Sequence, residues 1–270
     1  MKRLARTAIA LLLTAAITVP ASAQQKSTAR SPSYPKAGSK APVANEGVVQ
    51  DAAVDALKAM SAYLTQANTL QIATEGSLDV VTNDGQRIQL DGSTTYKVRR
   101  PNGFVIDYVS DMKSRRFIYD GKSFTVYSPK LGYYATVAAP ATNREVLDTI
   151  YKKFGIALPL EDLFRWNDAS NAQRIQNLQA AYVIGPATID GAETMHYAFR
   201  EPSVDWEVWI QQGEQPVPRK VVIVDRSDPA HPTFISRLTW QVNPTFTDAD
   251  FAFVPDANAK RIQLATYKGE

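Results

Sequence analysis

The sequence predicts a mainly β protein of the α+β class: one long antiparallel sheet with helices covering one of its faces. Three observations predict it. Period-two alternation runs from Leu70 to Val137 and again from Ala181 to Val242. The turns between the alternating runs are short, Asn83-Asp84-Gly85, Asp120-Gly121 and Asp190-Gly191 among them, and leave no room for the crossover helices of a parallel sheet. Amphipathic helical segments precede the first alternating stretch and fill the gap between the two. A strongly twisted sheet has one face that must be covered. Helices laid over a curved sheet leave an apolar cavity between the layers.

The elements follow in order. Residues 1–23 carry Lys2, Arg3 and Arg6, then an apolar run from Ala8 to Val19, then Ala21-Ser22-Ala23. That is the pattern of a secretory signal cleaved before Gln24, and the run is short for a membrane span. Residues 24–47 are rich in Ser, Ala, Pro and Lys and read as a flexible spacer. Residues 48–270 read as one domain. Asp51 to Gln66 is an amphipathic helix, with Val54, Leu57, Met60 and Leu64 on one face.

Strands then fall at Leu70–Val81, Arg87–Tyr96, Phe104–Tyr108, Arg116–Tyr119, Ser123–Ser128 and Tyr133–Val137. Asn143 to Phe154 is helical, with Asn143 as N-cap and Val146, Leu147, Ile150 and Phe154 in its apolar stripe. Pro159 starts a second short helix over Leu160–Trp166, in which Leu163 and Phe164 are apolar. Strands resume at Ala181–Ile184, Ala187–Asp190, Glu193–Glu201, Trp206–Gln211, Lys220–Asp225 and Phe234–Val242. Phe251 to Val254 reads as a short edge strand.

Composition narrows the function. There is no Cys and there are only two His among 270 residues, which excludes a disulfide scaffold, a thiolate nucleophile and a multi-histidine metal centre. Of the net charge of +3, the leader carries three positive charges and the spacer a net three more, so the body is mildly acidic. Such a body does not suit a phosphate backbone, and no nucleic-acid partner is expected. His196 and His231 lack an Asp or Ser at motif spacing, and Asp248 and Asp250 read as a solvated turn. No catalytic residue, metal site or cofactor is expected.

Three stretches carry a resemblance. Val98-Arg99-Arg100-Pro101-Asn102-Gly103-Phe104 is followed by Tyr119-Asp120-Gly121-Lys122-Ser123-Phe124-Thr125-Val126-Tyr127-Ser128-Pro129, and Phe251-Ala252-Phe253-Val254-Pro255 closes the domain. Together they resemble the LolA/LolB-like superfamily of periplasmic lipoprotein carriers. Trp209-Ile210, Pro218-Arg219-Lys220-Val221-Val222-Ile223 and Asn243-Pro244-Thr245-Phe246 make the chain most similar to its uncharacterised branch, domain of unknown function 2092.

The resemblance implies a strongly curved, half-barrel antiparallel sheet with a helical lid over an apolar cavity that holds acyl chains. It also implies that Arg100, the Arg before the strand-end Pro, bonds to the lid as a latch, with Glu161 and Asp162 as the nearest candidate partners. The extra chain around Asn167–Thr194 has no counterpart in the carriers.

On this reading the cavity is lined by Phe104, Ile106 and Tyr108, by Leu147, Ile150 and Phe154, by Leu163 and Phe164, and by Trp206, Val208 and Ile210. Each could equally be ordinary core. The expected function is a non-enzymatic periplasmic protein that binds a lipid or lipoprotein by its acyl chains, with transient membrane contact at most. The alternative is a periplasmic sensor that binds envelope lipids and a membrane partner protein. A hydrolase has little support.

Overall fold

A computed structural model of the chain describes residues 47–156, 158 and 175–266. The leader, nearly all of the spacer and the segment containing Leu163 and Phe164 lie outside the described residues. The element order is α1 (Asp51–Gln66), β1 (Thr69–Val81), β2 (Arg87–Arg99), β3 (Phe104–Ser110), β4 (Ser114–Tyr119), β5 (Ser123–Ser128) and β6 (Tyr133–Ala138). Then come α2 (Asn143–Phe154), β7 (Ala180–Ile189), β8 (Ala192–Glu201), β9 (Val204–Gln211), β10 (Pro218–Asp225) and β11 (Thr233–Val242). A 3-10 turn (Asp248–Phe251) and β12 (Lys260–Arg261) end the described chain.

All twelve strands form one curved sheet in the order β12-β6-β5-β4-β3-β2-β1-β11-β10-β9-β8-β7. Each stretch of alternation is therefore a meander, and the two meanders join where β1 pairs with β11, Leu70 opposite Val242 through Leu78 opposite Phe234. The sheet is not closed, since β12 and β7 remain at opposite ends of the order. The pairing is antiparallel except at one rim, where β12 runs parallel to β6.

Strand alternation sorts the side chains into two faces. The register sets Ile72 beside Tyr96 and Trp240, Ile106 beside Phe117, and Val208 beside Val221. These belong to the face that α1 covers, called here the inner face: Leu57, Met60 and Leu64 of α1 are buried in the same apolar cluster as Leu70, Ile72, Phe104, Trp206 and Leu238. The helix starts beside β7, with Gln50 N–H donating to the Ala181 carbonyl at 2.9 Å. It ends at the start of β1, so it crosses the inner face from one wing toward the middle. Its 16 residues span about 24 Å at 1.5 Å per residue.

Three sequence expectations are corrected. Ala181–Ile184 and Ala187–Asp190 are one strand, β7, with a bulge at Gly185. Gly185 takes φ 146 there, and Pro186 needs no ladder donor on an edge strand. Phe251–Val254 is not a strand: a capping box between Thr247 and Asp250 winds Asp248–Phe251 into a 3-10 turn. The rim strand is instead Lys260–Arg261. The N-cap of α2 is Thr142 rather than Asn143. Its hydroxyl accepts from Glu145 N–H at 3.3 Å, and its own N–H donates to the Glu145 carboxylate at 3.2 Å.

The chain after β11 straps the outer face of the first meander. Phe251 packs on Val105 and Ile118, with Phe246 and Phe253 beside it. Asp250 accepts from Lys97 at 2.7 Å, Asp248 from Arg99 at 2.6 Å, and the Arg99 guanidinium lies 4.4 Å from the Phe251 ring centre. The Lys97 bond and the Thr247 N–H hold the Asp250 carboxyl at about 2, below its ordinary 3.8. A depressed carboxylate stabilises the fold above its ordinary range, and the contribution is lost as pH falls through the folded value. Asp250→Asn should therefore lower the melting temperature near about pH 6, and the gap to wild type should close as pH falls from about 4 to about 2. Thermal unfolding across that range checks it, and a gap that persists in acid would contradict it.

Candidate functional site

The candidate site is the inner face beneath the two helices. Under α2, Phe104, Tyr119, Phe124 and Phe117 form an aromatic group, with Phe104–Tyr119 centroids 5.4 Å apart and Phe117–Phe124 6.4 Å. Val146 and Ile150 of α2 are buried against the same cluster, and Leu147 and Phe154 pack at its margin, part-exposed. On the other wing, Phe199 stacks on Trp206 at 4.2 Å. Trp206, Val208 and Ile210 project together from β9, all buried. The row Phe104, Ile106, Tyr108 and the row Trp206, Val208, Ile210 thus share one face, as alternation implies. The strand order sets β3 and β9 five spacings apart, about 24 Å along the sheet. They are opposite walls of the inner face.

The inner face changes character along the strands. Toward the helix-anchored end it is apolar. Beyond Ile72, Tyr96 and Ile106 it turns polar on the first wing, with Thr74, Thr94 and Tyr108 in register and Ser110 and Ser128 further out. Arg115 spans this region and donates to the Ser128 hydroxyl at 2.6 Å. Tyr108 is half-buried, and burial pushes its phenol above the ordinary value. Tyr96 is fully buried, and burial raises its phenol far more strongly. Both stay neutral hydroxyls at physiological pH.

Both helices are tied to the turn that joins β2 to β3. Arg100 N–H donates to the Asn68 carbonyl at 2.8 Å, and the Arg100 guanidinium donates to the Thr65 carbonyl in the last turn of α1. Burial lowers the Arg100 pKa from its ordinary value, but an arginine remains cationic. A cation at a helix C-terminus also meets the negative end of the helix dipole. Asn143, freed from the capping role, bridges α2 to the same turn: its Oδ1 accepts from Gly103 N–H at 2.9 Å and its Nδ2 donates to the Arg99 carbonyl at 2.9 Å. Tyr119 adds a bond from its hydroxyl to the Pro140 carbonyl at 2.6 Å. The described helix partner of Arg100 is thus Thr65, while Glu161 and Asp162 lie outside the described residues. Arg99 points the other way, into the strap.

Sequence reasoning missed Thr65 and Asn143. Neither carries a pattern: a backbone carbonyl 35 residues away in sequence and an Asn beside a helix start both look ordinary. It also missed Tyr197 and Trp240, which flank the second wing and pack part-exposed on the cluster. His196 lies on the outer face, hydrogen-bonded to Glu207 at 2.7 Å and stacked on Trp209 at 3.9 Å. His231 sits in the turn before β11 with φ 49. No helix among the described residues is long and apolar enough to cross a membrane.

Comparison with known proteins gives one family. The model of "Predicted periplasmic protein (DUF2092)" matches residues 53–265. No curated protein matches the sequence. Among solved structures, an uncharacterized conserved protein from Thermus thermophilus is 10% identical, with a TM-score of 0.46, covering 79% of this chain and 99% of its own. The lipoprotein LppX of Mycobacterium tuberculosis is 10% identical, with a TM-score of 0.39, over 73% of this chain and 98% of its own. A putative outer membrane lipoprotein-sorting protein domain from Vibrio parahaemolyticus is 10% identical, with a TM-score of 0.34, over 74% and 96%.

Proposed function

We propose, for a chain that belongs to the DUF2092 family of predicted periplasmic proteins, that it holds the acyl chains of a lipid or lipoprotein between its inner face and the two described helices. The observation that carries this reading is a mismatch of areas. Eleven strand spacings of about 4.8 Å make the twelve-stranded sheet about 53 Å wide along its surface. The two described helices, about 10 Å across and about 24 Å and 18 Å long, cover less than half the area of a sheet whose strands, β12 aside, have six to thirteen residues and are about 20 Å or more long. Apolar side chains remain part-exposed around their edges, among them Val126, Val137, Tyr197, Ile223 and Trp240. Each buried CH₂ is worth about 0.8 kcal/mol, so a long acyl chain offers on the order of 10 kcal/mol before ordering costs. The polar zone around Thr94, Tyr108 and Arg115 suits the head of such a ligand.

Arg100 then acts as the latch of α1, and Asn143 as the pin of α2. Charge-assisted bonds of this kind contribute about 1.5–3 kcal/mol each. Arg100→Leu should speed release of a bound fluorescent fatty acid by about tenfold or more, while Arg99→Leu, which acts on the outer strap, should leave the rate unchanged. Stopped-flow release from both folded variants decides the matter: equal rates in wild type and Arg100→Leu would remove the latch.

The reading itself is tested by titrating the purified protein with a fluorescent fatty acid and with palmitate as competitor. Saturable micromolar binding with displacement is expected. Trp206 and Trp240, both on the inner face, should report it by a change in fluorescence. Absence of saturable binding to a folded protein would overturn the proposal.

A further inference from the structure

We propose that the rim formed by the β5–β6 turn and β12 is a docking surface for an anionic lipid bilayer. The rim concentrates exposed apolar groups. Leu131 at the tip of the turn is 63% exposed, Tyr133 at the start of β6 41%, and Ile262 just after β12 49%. The backbone holds these stretches together: Lys260 N–H donates to the Gly132 carbonyl at 2.8 Å and Ile262 N–H to the Tyr134 carbonyl at 2.8 Å. Tyr134 packs on Phe253 at 5.1 Å, on the strapped outer face, so alternation turns Tyr133 to the inner side. Lys260 is its partner in the parallel register, and alternation carries Ile262 to the same side. Tyr133, Lys260 and Ile262 thus form one row beside Leu131.

The charges around this row have one sign. Lys130, Lys260 and Arg261 are exposed, and residues 129–138 and 257–266 contain no Asp or Glu. The acid just before them, Asp256, accepts from the Tyr127 hydroxyl. Among the described residues no carboxylate pairs with Lys130, Lys260 or Arg261. The remainder of the exposed body is mildly acidic, so this basic, apolar rim stands out. Exposed Leu, Tyr and Ile set among lysine and arginine match a bilayer interface: the apolar groups enter the headgroup boundary while the cations meet anionic phosphates. A lone sheet rim made for solvent would carry charges in place of the apolar row.

The inference goes beyond the acyl-chain reading and is tested separately from it. The chain is mixed with vesicles of phosphatidylcholine alone or with about one-third phosphatidylglycerol, and binding is read by flotation. Binding to the anionic vesicles is expected, with background binding to the neutral ones and loss as salt shortens the screening length. Each cation near such a surface contributes about fivefold in affinity, so Lys130→Glu, Lys260→Glu and Arg261→Glu together should weaken binding on the order of a hundredfold. The single change Leu131→Asp, at an exposed turn tip that the fold does not need, should weaken it several-fold, and Ile88→Asp, an exposed apolar site in β2, should not. Fatty-acid binding in solution should persist in all of them, which separates failure of the rim from failure of the acyl site. Absence of binding to anionic vesicles, including the case in which an acidic protein is captured instead, would overturn the proposal. So would unchanged vesicle binding in both rim variants, which would assign the attraction to the basic residues of the spacer.

Discussion

Gly76→Val is expected to cost about 3 kcal/mol of stability, which for a domain of this size lowers the melting temperature by about 6–12 °C. The reason lies in the middle of the sheet. Gly76 in β1 pairs with Gly92 on one side and Ser236 on the other. A Cβ on Gly76 would sit 2.0 Å from the Ile235 carbonyl oxygen and 2.9 Å from Ser236 Cα. Both are backbone atoms of β11 and cannot rotate away. A Cβ on Gly92 would meet the Val109 carbonyl oxygen at 2.9 Å. Two facing glycines in the central strands therefore allow the close backbone approach that a strongly bent sheet requires. The side chain would have to push β1 from β11, the one seam that joins the two meanders. Ser77→Ala, at the next position, is the control. Thermal unfolding by circular dichroism checks the pair, and a melting point within about 2 °C of wild type for Gly76→Val would contradict this account.

Ile150→Glu is expected to abolish tight acyl binding, with affinity falling more than tenfold, while the sheet persists. Ile150 is 2% exposed and lies with the fully buried Val146 on the face of α2 that meets the aromatic group of β3–β5. A carboxylate placed there without a partner costs several kcal/mol. The helix offers an easier escape than the sheet, since α2 is held mainly by this face and by Asn143 at one end. The variant should therefore release α2 and expose the wing beneath it. Far-ultraviolet circular dichroism should show the strand signal retained, and fluorescent fatty-acid titration should show the affinity lost. Lys152→Glu, on the exposed side of the same helix, should bind as wild type does. A folded Ile150→Glu chain with undiminished affinity would place the acyl site elsewhere.

How far the sequence revealed this arrangement depended on what each element answers to. Helix α1 was legible to its ends, because Val54, Leu57, Met60 and Leu64 mark a buried stripe that only a helix can present. The strands of both meanders were legible from alternation, since one face of every strand is buried. Gly185-Pro186 misled because the same dipeptide that ends a strand in a turn also makes a bulge in an edge strand. Phe251 and Phe253 misled because they serve a second, outer cluster rather than a sheet. Their neighbours held a signal: Asp248 and Asp250 repeat the two-residue spacing of Lys97 and Arg99, the pair they bind.

The face on which the candidate lining stands was legible for a similar reason. Phe104 and Ile106, like Trp206, Val208 and Ile210, are set by alternation alone, whereas the ties that hold the helices depend on backbone carbonyls brought together only by the fold. Thr65 under Arg100 and the Gly103 amide over Asn143 are of this kind. The parallel rim strand β12 is two residues long, too short to carry any period.

The most direct measurement of the central claim is native mass spectrometry, with lipid extraction, of the protein purified from its own periplasm. The account predicts a chain carrying one acyl-bearing molecule, retained by wild type and lost from Ile150→Glu. A chain that emerges bare and takes up neither palmitate nor phospholipid when these are supplied would contradict it.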